Sequence, residues 1–369
     1  MKSARLTIFR SLFTWHFYFA IALLLWLAES SFGQQLIENP ETPLAKNAGR
    51  ILKLQEVWRI GDDSGKFYFK YPSQLQIAAD GSIFVADAGQ FLKFSAEGKF
   101  QKNLYKKGEG PGEIQDSFTY YLQGGSIFIQ DRNSHRLWRS DLNGHFLNQV
   151  DLPSKDYRGF LGVVQNGLIF LKTVWPQPAK QTGAGKLIEI PTSPILVSLD
   201  GKSERVLYTF YPRTFLMAQG GRDWDNSILV PEREGDRIYA YHGRDYLIEV
   251  LSIARSQIIL RFTRRYNKVP YVEKAWEPEF RKKFDAPKIE FESDITGLFP
   301  NGPQLWIETS TADLKNGKLI DVFDVQGRFI DSFYLGLGRT LLGARRDDIY
   351  VTEKKTDETI VILKYRIET

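Results

Sequence analysis

Side chains able to do covalent or metal chemistry are few in this sequence, and their spacing limits what they can do. The chain has 369 residues, no cysteine and four histidines. A thiol nucleophile, a thiolate zinc site, a disulfide framework and a cysteine-borne lipid anchor are all excluded. Beyond residue 33 the imidazoles are His135, His145 and His242, so a three-histidine zinc site would need every one of them. His135 and His145 flank one strand pair and His242 lies far along the chain, which argues against that site. The absence of a Gly-x-Ser-x-Gly segment disfavours a serine hydrolase of the elbow type. No catalytic residue and no metal ligand is assigned.

Three other groupings invite a chemical reading. Gly108-Glu109-Gly110-Pro111-Gly112-Glu113 has the glycine density of a phosphate cradle, but a cradle follows a strand and opens a helix. Here the next element reads as a strand, and no Lys-Ser/Thr pair follows Gly112. Gly110, Pro111, Gly112 and Glu113 therefore read as a turn between repeats, with Glu113 directed at a backbone or neighbouring loop. Asp87 and Asp131 end two strands at matching positions, as a repeated fold device would. An acid-base or metal role would need a second carboxylate or histidine within reach. The basic tract Arg261, Arg264, Arg265, Lys268 and 281–283 is interleaved with Tyr266, Tyr271 and Trp276, and could hold an anionic glycan, a lipid headgroup or a partner protein. Glu273, Glu277, Glu279 and Asp285 intervene, so a solvated charged insertion is the favoured reading.

The elements that carry these residues repeat. Ile83-Phe84-Val85, Ile127-Phe128-Ile129, Ile169-Phe170-Leu171, Ile238-Tyr239-Ala240, Leu305-Trp306-Ile307 and Ile349-Tyr350-Val351 share an aliphatic-aromatic-aliphatic or small pattern. Their spacings are 44, 42, 69, 67 and 44 residues. Turn residues stand just upstream, which favours strands over helices. A period of about 40–45 residues is that of a four-stranded propeller blade. Glu97-Gly98, Asn143-Gly144, Asp200-Gly201 and Gln326-Gly327 keep the same rhythm and mark the turn between a blade's third and fourth strands. The expected fold class is all-β: a six-bladed β-propeller over 51–369, closed by an N-terminal strand within Ile51–Ile60.

The two long spacings are insertions, 173–192 continued by 211–225, and 261–294, the second with a short helix near 276–284. Loops of this length are often functional. In propellers, ligands commonly meet the strand starts around the channel. Eleven residues ahead of each repeat stand Pro72, Asp116, Arg158, Ser227, Asp294 and Gly338, which makes Asp116, Arg158 and Asp294 candidate ligand-binding residues at one channel mouth.

At the N-terminus, Lys2, Arg5 and Arg10 precede an apolar run over 12–28 and a Ser31–Gly33 exit. This matches a signal peptide over 1–33, with an uncleaved membrane anchor through 12–28 as the competing reading. Residues 34–50 read as a flexible lead-in. Without the first 33 residues the charge is 46 basic against 43 acidic, too even to suggest nucleic acid.

Ser126 to Leu137, followed by Asn143-Gly144, resembles the NHL repeat. Gly108–Glu113, Asp321–Gly327 and 361–367 resemble a bacterial secreted family of six-bladed propellers related to NHL and TolB-type propellers. The resemblance spans about 50–367 and implies the fold, export to the periplasm or cell exterior, and local hydrogen bonding by Asp87 and Asp131. It implies no activity. The leading expectation is a non-enzymatic binding module for a protein or glycan, without a cofactor. The alternative is a lactonase- or lyase-type enzyme with a channel metal such as Ca2+ held by carboxylates like Asp116 and Asp294.

Overall fold

The computed structural model describes residues 36–61, 65–115, 117–132, 136–154, 156–164, 167–175, 185–217, 220–232 and 235–368. The signal-peptide reading of 1–33 falls outside them. Six sheets follow one another as antiparallel meanders, each entered at its inner strand. The first blade comprises Ser73–Ile77, Ile83–Asp87, Gln90–Phe94 and Phe100–Asn103; the second comprises Phe118–Gln123, Ser126–Asp131, Arg136–Asp141 and Phe146–Val150. The inner strands of the remaining blades are Tyr157–Val164, Asn226–Pro231, Ile295–Asn301 and Arg339–Arg345. Each inner strand neighbours the next, and that of the sixth blade neighbours that of the first.

Every copy of the repeated motif is the second strand of a blade. Its aromatic residue is buried in all six: Phe84, Phe128, Phe170, Tyr239, Trp306 and Tyr350. These strands are continuous apolar runs rather than alternating ones because blades pack face to face, which removes water from both sides of a middle strand. Phe84, Phe91, Tyr120 and Trp138, for example, share one cluster between the first and second blades. The Gln76 side chain adds polar register there: its amide donates to Tyr120 O at 2.8 Å and accepts from Leu122 N at 3.0 Å.

The four glycine turns sit where expected, with Gly98, Gly144, Gly201 and Gly327 at φ +78°, +80°, +74° and +78°. Gly201 is also pressed against its neighbour: a Cβ there would lie 1.9 Å from Asp151 O.

On the N-terminal side, Leu54–Ile60 pairs antiparallel with Ile360–Ile367, placing Trp58 opposite Lys364 as the outer strand of the sixth blade. The flexible lead-in expected over 34–50 is not observed from residue 36 onward. Leu36–Asn39 is the fifth strand of the fourth sheet, beside Gln257–Arg264, and Arg50–Ile51 pairs parallel with Phe333 and Tyr334 in the fifth. Asn39 is the clip between them. Its amide donates to Thr263 O at 2.9 Å and Gly327 O at 2.8 Å and accepts from Phe329 N at 2.9 Å. Arg50 grips Asp331 with both guanidinium nitrogens at 2.8 Å. Such short pairings leave no periodicity to read, and their partners lie more than 200 residues away.

Candidate functional site

In a meander, inner-strand starts, second-strand ends, third-strand starts and outer-strand ends lie on one face. The connections expected to be long all open there. Within the first insertion, Lys186–Glu189, Arg213–Met217 and Gly220–Asp223 form an additional three-stranded antiparallel sheet. The second insertion carries the helix Glu277–Phe284. Glu277 and Glu279 in its first turn and Arg281–Lys283 in its last complement the helix dipole, and Asp285 ends it in the left-handed region at φ 54°.

The two insertions dock on each other to form a cap. Gly185 N donates to Phe284 O at 2.9 Å, and the Phe215 and Phe280 rings are 6.3 Å apart. Between them lies a small half-open cleft, with Phe215, Trp224, Tyr271 and Phe280 as aromatic walls. Two ion pairs form its polar side: Arg222 to Glu277 at 3.0 Å and Arg281 to Glu273 at 2.7 Å. Glu277 also accepts from the Tyr271 hydroxyl at 2.8 Å and Lys274 N at 3.0 Å. Burial pushes the Glu277 carboxyl up, but these three donors outweigh it and hold it below the ordinary glutamate range. The Arg222 guanidinium lies 4.9 Å from the centre of the Trp276 ring and 5.7 Å from that of Phe280.

On the same face of the fourth and fifth blades is a buried charged layer. Arg264 pairs with Asp321 at 2.7 Å, Tyr246 donates to the same carboxylate at 2.8 Å, and the guanidinium sits 4.8 Å from the centre of the Tyr266 ring. Lys268 pairs with Asp245 and stands 3.7 Å from Asp294. Burial pushes the Asp294 carboxyl up to about 6, against the pull of Lys268 and the Tyr246 N–H. His242 meets Glu249 at 2.9 Å, and burial lowers its imidazole below the ordinary range.

The candidate ligand residues divide three ways. Asp294 is on the expected face but is 2% exposed, wedged between the fourth and fifth blades rather than open at a mouth. Arg158 belongs to the inner strand Tyr157–Val164, at an irregularity in its pairing, and its side chain is outside the description. Asp116 lies outside the described residues. His145 binds Asp141 in the second blade, away from His242 in the fourth. The basic tract is largely neutralised, mostly by the blades beside it: Arg261, Arg264 and Lys268 face Glu249, Asp321 and Asp245, and Arg281 faces Glu273 of the insertion itself.

Gly110–Glu113 forms a turn between blades. Glu113 folds back to accept Gly110 N at 2.9 Å, and Gly108 N donates to Ile114 O at 3.1 Å. Asp87 accepts Lys70 N at 2.7 Å and Tyr71 N at 2.5 Å, so it ties the preceding connection to the first blade. Asp131 does the same for Gln115 N at 3.2 Å.

Arg222 and the carboxylate pairing of the helix escaped the sequence reading. The i, i+3, i+4 spacing of Glu277, Phe280 and Arg281 was a usable signal, since it puts them on one helix face. Nothing local marks Arg222.

The comparisons agree with this architecture. The model of a family described as a 6-bladed beta-propeller matches residues 64–181. The fold is a six-bladed β-propeller. A Bacteroides fragilis protein named as a candidate for export is similar at TM-score 0.57 and 11% identity, over 91% of this chain and 100% of its own. A Bacteroides vulgatus protein is similar at TM-score 0.54 and 10% identity, over 87% and 99%. A gluconolactonase of Xanthomonas campestris superposes more loosely, at TM-score 0.46 and 12% identity over 88% and 97%, and carries no functional argument. Among proteins of curated function, none matches the sequence.

Proposed function

We propose that this propeller is an exported, non-enzymatic binding module for a protein or glycan, and that it binds on the face where its inner strands begin. The observation that carries the reading is an asymmetry of exposed apolar side chains. Among the described residues in the blade connections, Tyr68, Tyr71, Trp175, Trp276, Leu314 and Leu337 are exposed on this face, whereas Leu199 is the large exposed one on the other. The excess of exposed apolar side chains on one face makes that face the better candidate for an interaction surface. Export rests on the N-terminal pattern and on the neighbour named for export.

The metal-dependent lactonase or lyase reading gains no support from Asp294. Its carboxylate faces the Lys268 ammonium at 3.7 Å, an arrangement that opposes a second cation. The test is saturable binding of the purified protein to protein and glycan panels, read with Tyr71→Ala and Leu337→Ala against Leu199→Ala. Weakening of at least tenfold from the first two and none from the third is expected. Calcium-dependent turnover of a lactone without any stable ligand would overturn the reading.

A further inference from the structure

The two insertions leave the propeller at different connections, yet their ends meet at one turn. We infer that the dipeptide Arg244-Asp245, between the second and third strands of the fourth blade, is a clasp through which the whole cap engages and releases the propeller as one body. Such a clasp governs access to part of the proposed binding face, and its existence does not rest on ligand binding.

Arg244 reaches both insertions at once. Its Nη1 donates to Trp224 O, at the end of the first insertion, at 3.0 Å, and its Nη2 donates to Phe291 O, near the end of the second. Its carbonyl accepts Asp294 N at 3.0 Å, where the second insertion rejoins the fifth blade. Beside it, Asp245 pairs with Lys268 from the beginning of that insertion. One turn therefore holds the return of the first insertion and both ends of the second. The planar guanidinium fork makes this feasible, since its donors can hold carbonyls on separate segments with a single side chain.

Away from this turn the insertions are fastened to each other. Gly185 N donates to Phe284 O at 2.9 Å, and Arg222 pairs with Glu277 at 3.0 Å. Joined at tip and base, they form a closed frame, so loosening one side loosens the other. The blades, by contrast, interlock through apolar clusters. Among the described residues, the cap aromatics Phe215, Tyr271, Phe280 and Phe284 belong to none of those clusters. The cap sheet likewise pairs within itself and with no blade strand. Other polar ties lie on the stem, where Arg265 N donates to Asn39 O at 3.1 Å and Asn267 to Glu41 at 2.6 Å. Water replaces polar partners when the clasp parts, whereas parting two blades exposes an apolar face. A region attached in this way opens locally, at lower cost than global unfolding.

The experiment is hydrogen exchange by mass spectrometry on the purified full chain without ligand, comparing the native protein with Arg244→Gln and Asp245→Asn. In Arg244→Gln, exchange should quicken at least tenfold in both Arg213–Met217 and Glu277–Phe284, by factors within threefold of each other. The blade strands Ile83–Asp87 and Ser126–Asp131 should keep their native rates. Asp245→Asn, which weakens only the Lys268 tie, should quicken the same two segments together by a smaller factor. Quickening confined to one insertion, or absent from both, overturns the clasp. Equal quickening of the blade strands also overturns it, because Arg244 would then be holding the propeller itself. Should Arg244→Gln fail to fold, Asp245→Asn decides by the same comparison, since its side chain is exposed. Ligand panels that show no binding leave the clasp standing, and failure of the clasp leaves the binding module intact.

Discussion

Replacing Asp294 by asparagine should stabilise the protein at neutral pH while leaving its acid-side stability almost unchanged. The carboxyl is 2% exposed and its titration is pushed from the ordinary 3.8 up to about 6, chiefly by burial. A folded-state value above the unfolded one means that the folded chain keeps its proton longer. Stability from this group is full below about pH 4 and declines as pH rises through about 6. The shift spans about 2 units at about 1.4 kcal/mol each, or about 3 kcal/mol by pH 7.5. Asparagine removes that loss and still offers an oxygen to the Tyr246 N–H, while Lys268 keeps Asp245 as a partner. Unfolding entropy of about 2 cal/mol/K per residue makes 3 kcal/mol equivalent to roughly 4 °C in a chain of this size. Calorimetric melting of both proteins from pH 4 to 8 measures the difference directly, and other titrating groups cancel in it. Coincident melting at pH 4 and a gap opening towards pH 7.5 are expected. Parallel curves, or a variant that melts lower at pH 7.5, would refute the assignment of Asp294 as a buried, reluctant acid.

Three further outcomes are expected. Asn39→Ala leaves the Thr263 and Gly327 carbonyls and the Phe329 N–H without their partner and should cost about 3 kcal/mol in urea unfolding, with deletion of residues 36–60 costing far more. Gly201→Ala must leave φ +74° or push against Asp151 O, and a loss of more than about 2 kcal/mol in the same assay is expected. The cap should loosen in acid: Glu277 is held below its unfolded value, so its contribution is present above about pH 4.5 and is lost as pH falls through its folded value. Hydrogen-exchange protection of the helix Glu277–Phe284, corrected for the intrinsic pH dependence of exchange, should therefore fall on acidification below the ordinary glutamate range in the native chain and show no such step in Glu277→Gln.

The parts of this fold legible in sequence were those encoded locally. The six aromatic strands announce themselves because burial on both faces demands an unbroken apolar run, and the Asn-Gly and Asp-Gly turns because glycine adopts their positive φ without steric cost. The helix in the second insertion was legible to within a residue of its start. What stayed hidden is encoded at a distance. Leu36–Asn39 has no alternation and no propensity to distinguish it from a linker; its strand identity comes from the edge offered by Gln257–Arg264. Arg222 was invisible for the same reason, since its partner Glu277 belongs to the other insertion. Asp294 was found at its face by counting from the repeat, but a count along one strand carries no information on how deeply the neighbouring blade buries it.

The belt formed by 36–60 has a consequence for the order of events in synthesis. This segment is made long before its partners, for every strand it joins lies between 257 and 367. Its hydrogen-bonding groups have no native partner until those strands are made, so the fourth sheet waits for Gln257–Arg264, the fifth for Phe329–Tyr334 and the sixth for Ile360–Ile367. Chain closure over so many residues is slow. During that interval both the early segment and the waiting outer edges are open to pairing with other chains. A product interrupted before Ile360 would never acquire the edge that Leu54–Ile60 covers. Completion of the C-terminal hairpin is thus the step at which the nascent molecule loses its templates for misassembly, and late truncations should be cleared as aggregates or by proteolysis rather than persist as five-bladed remnants.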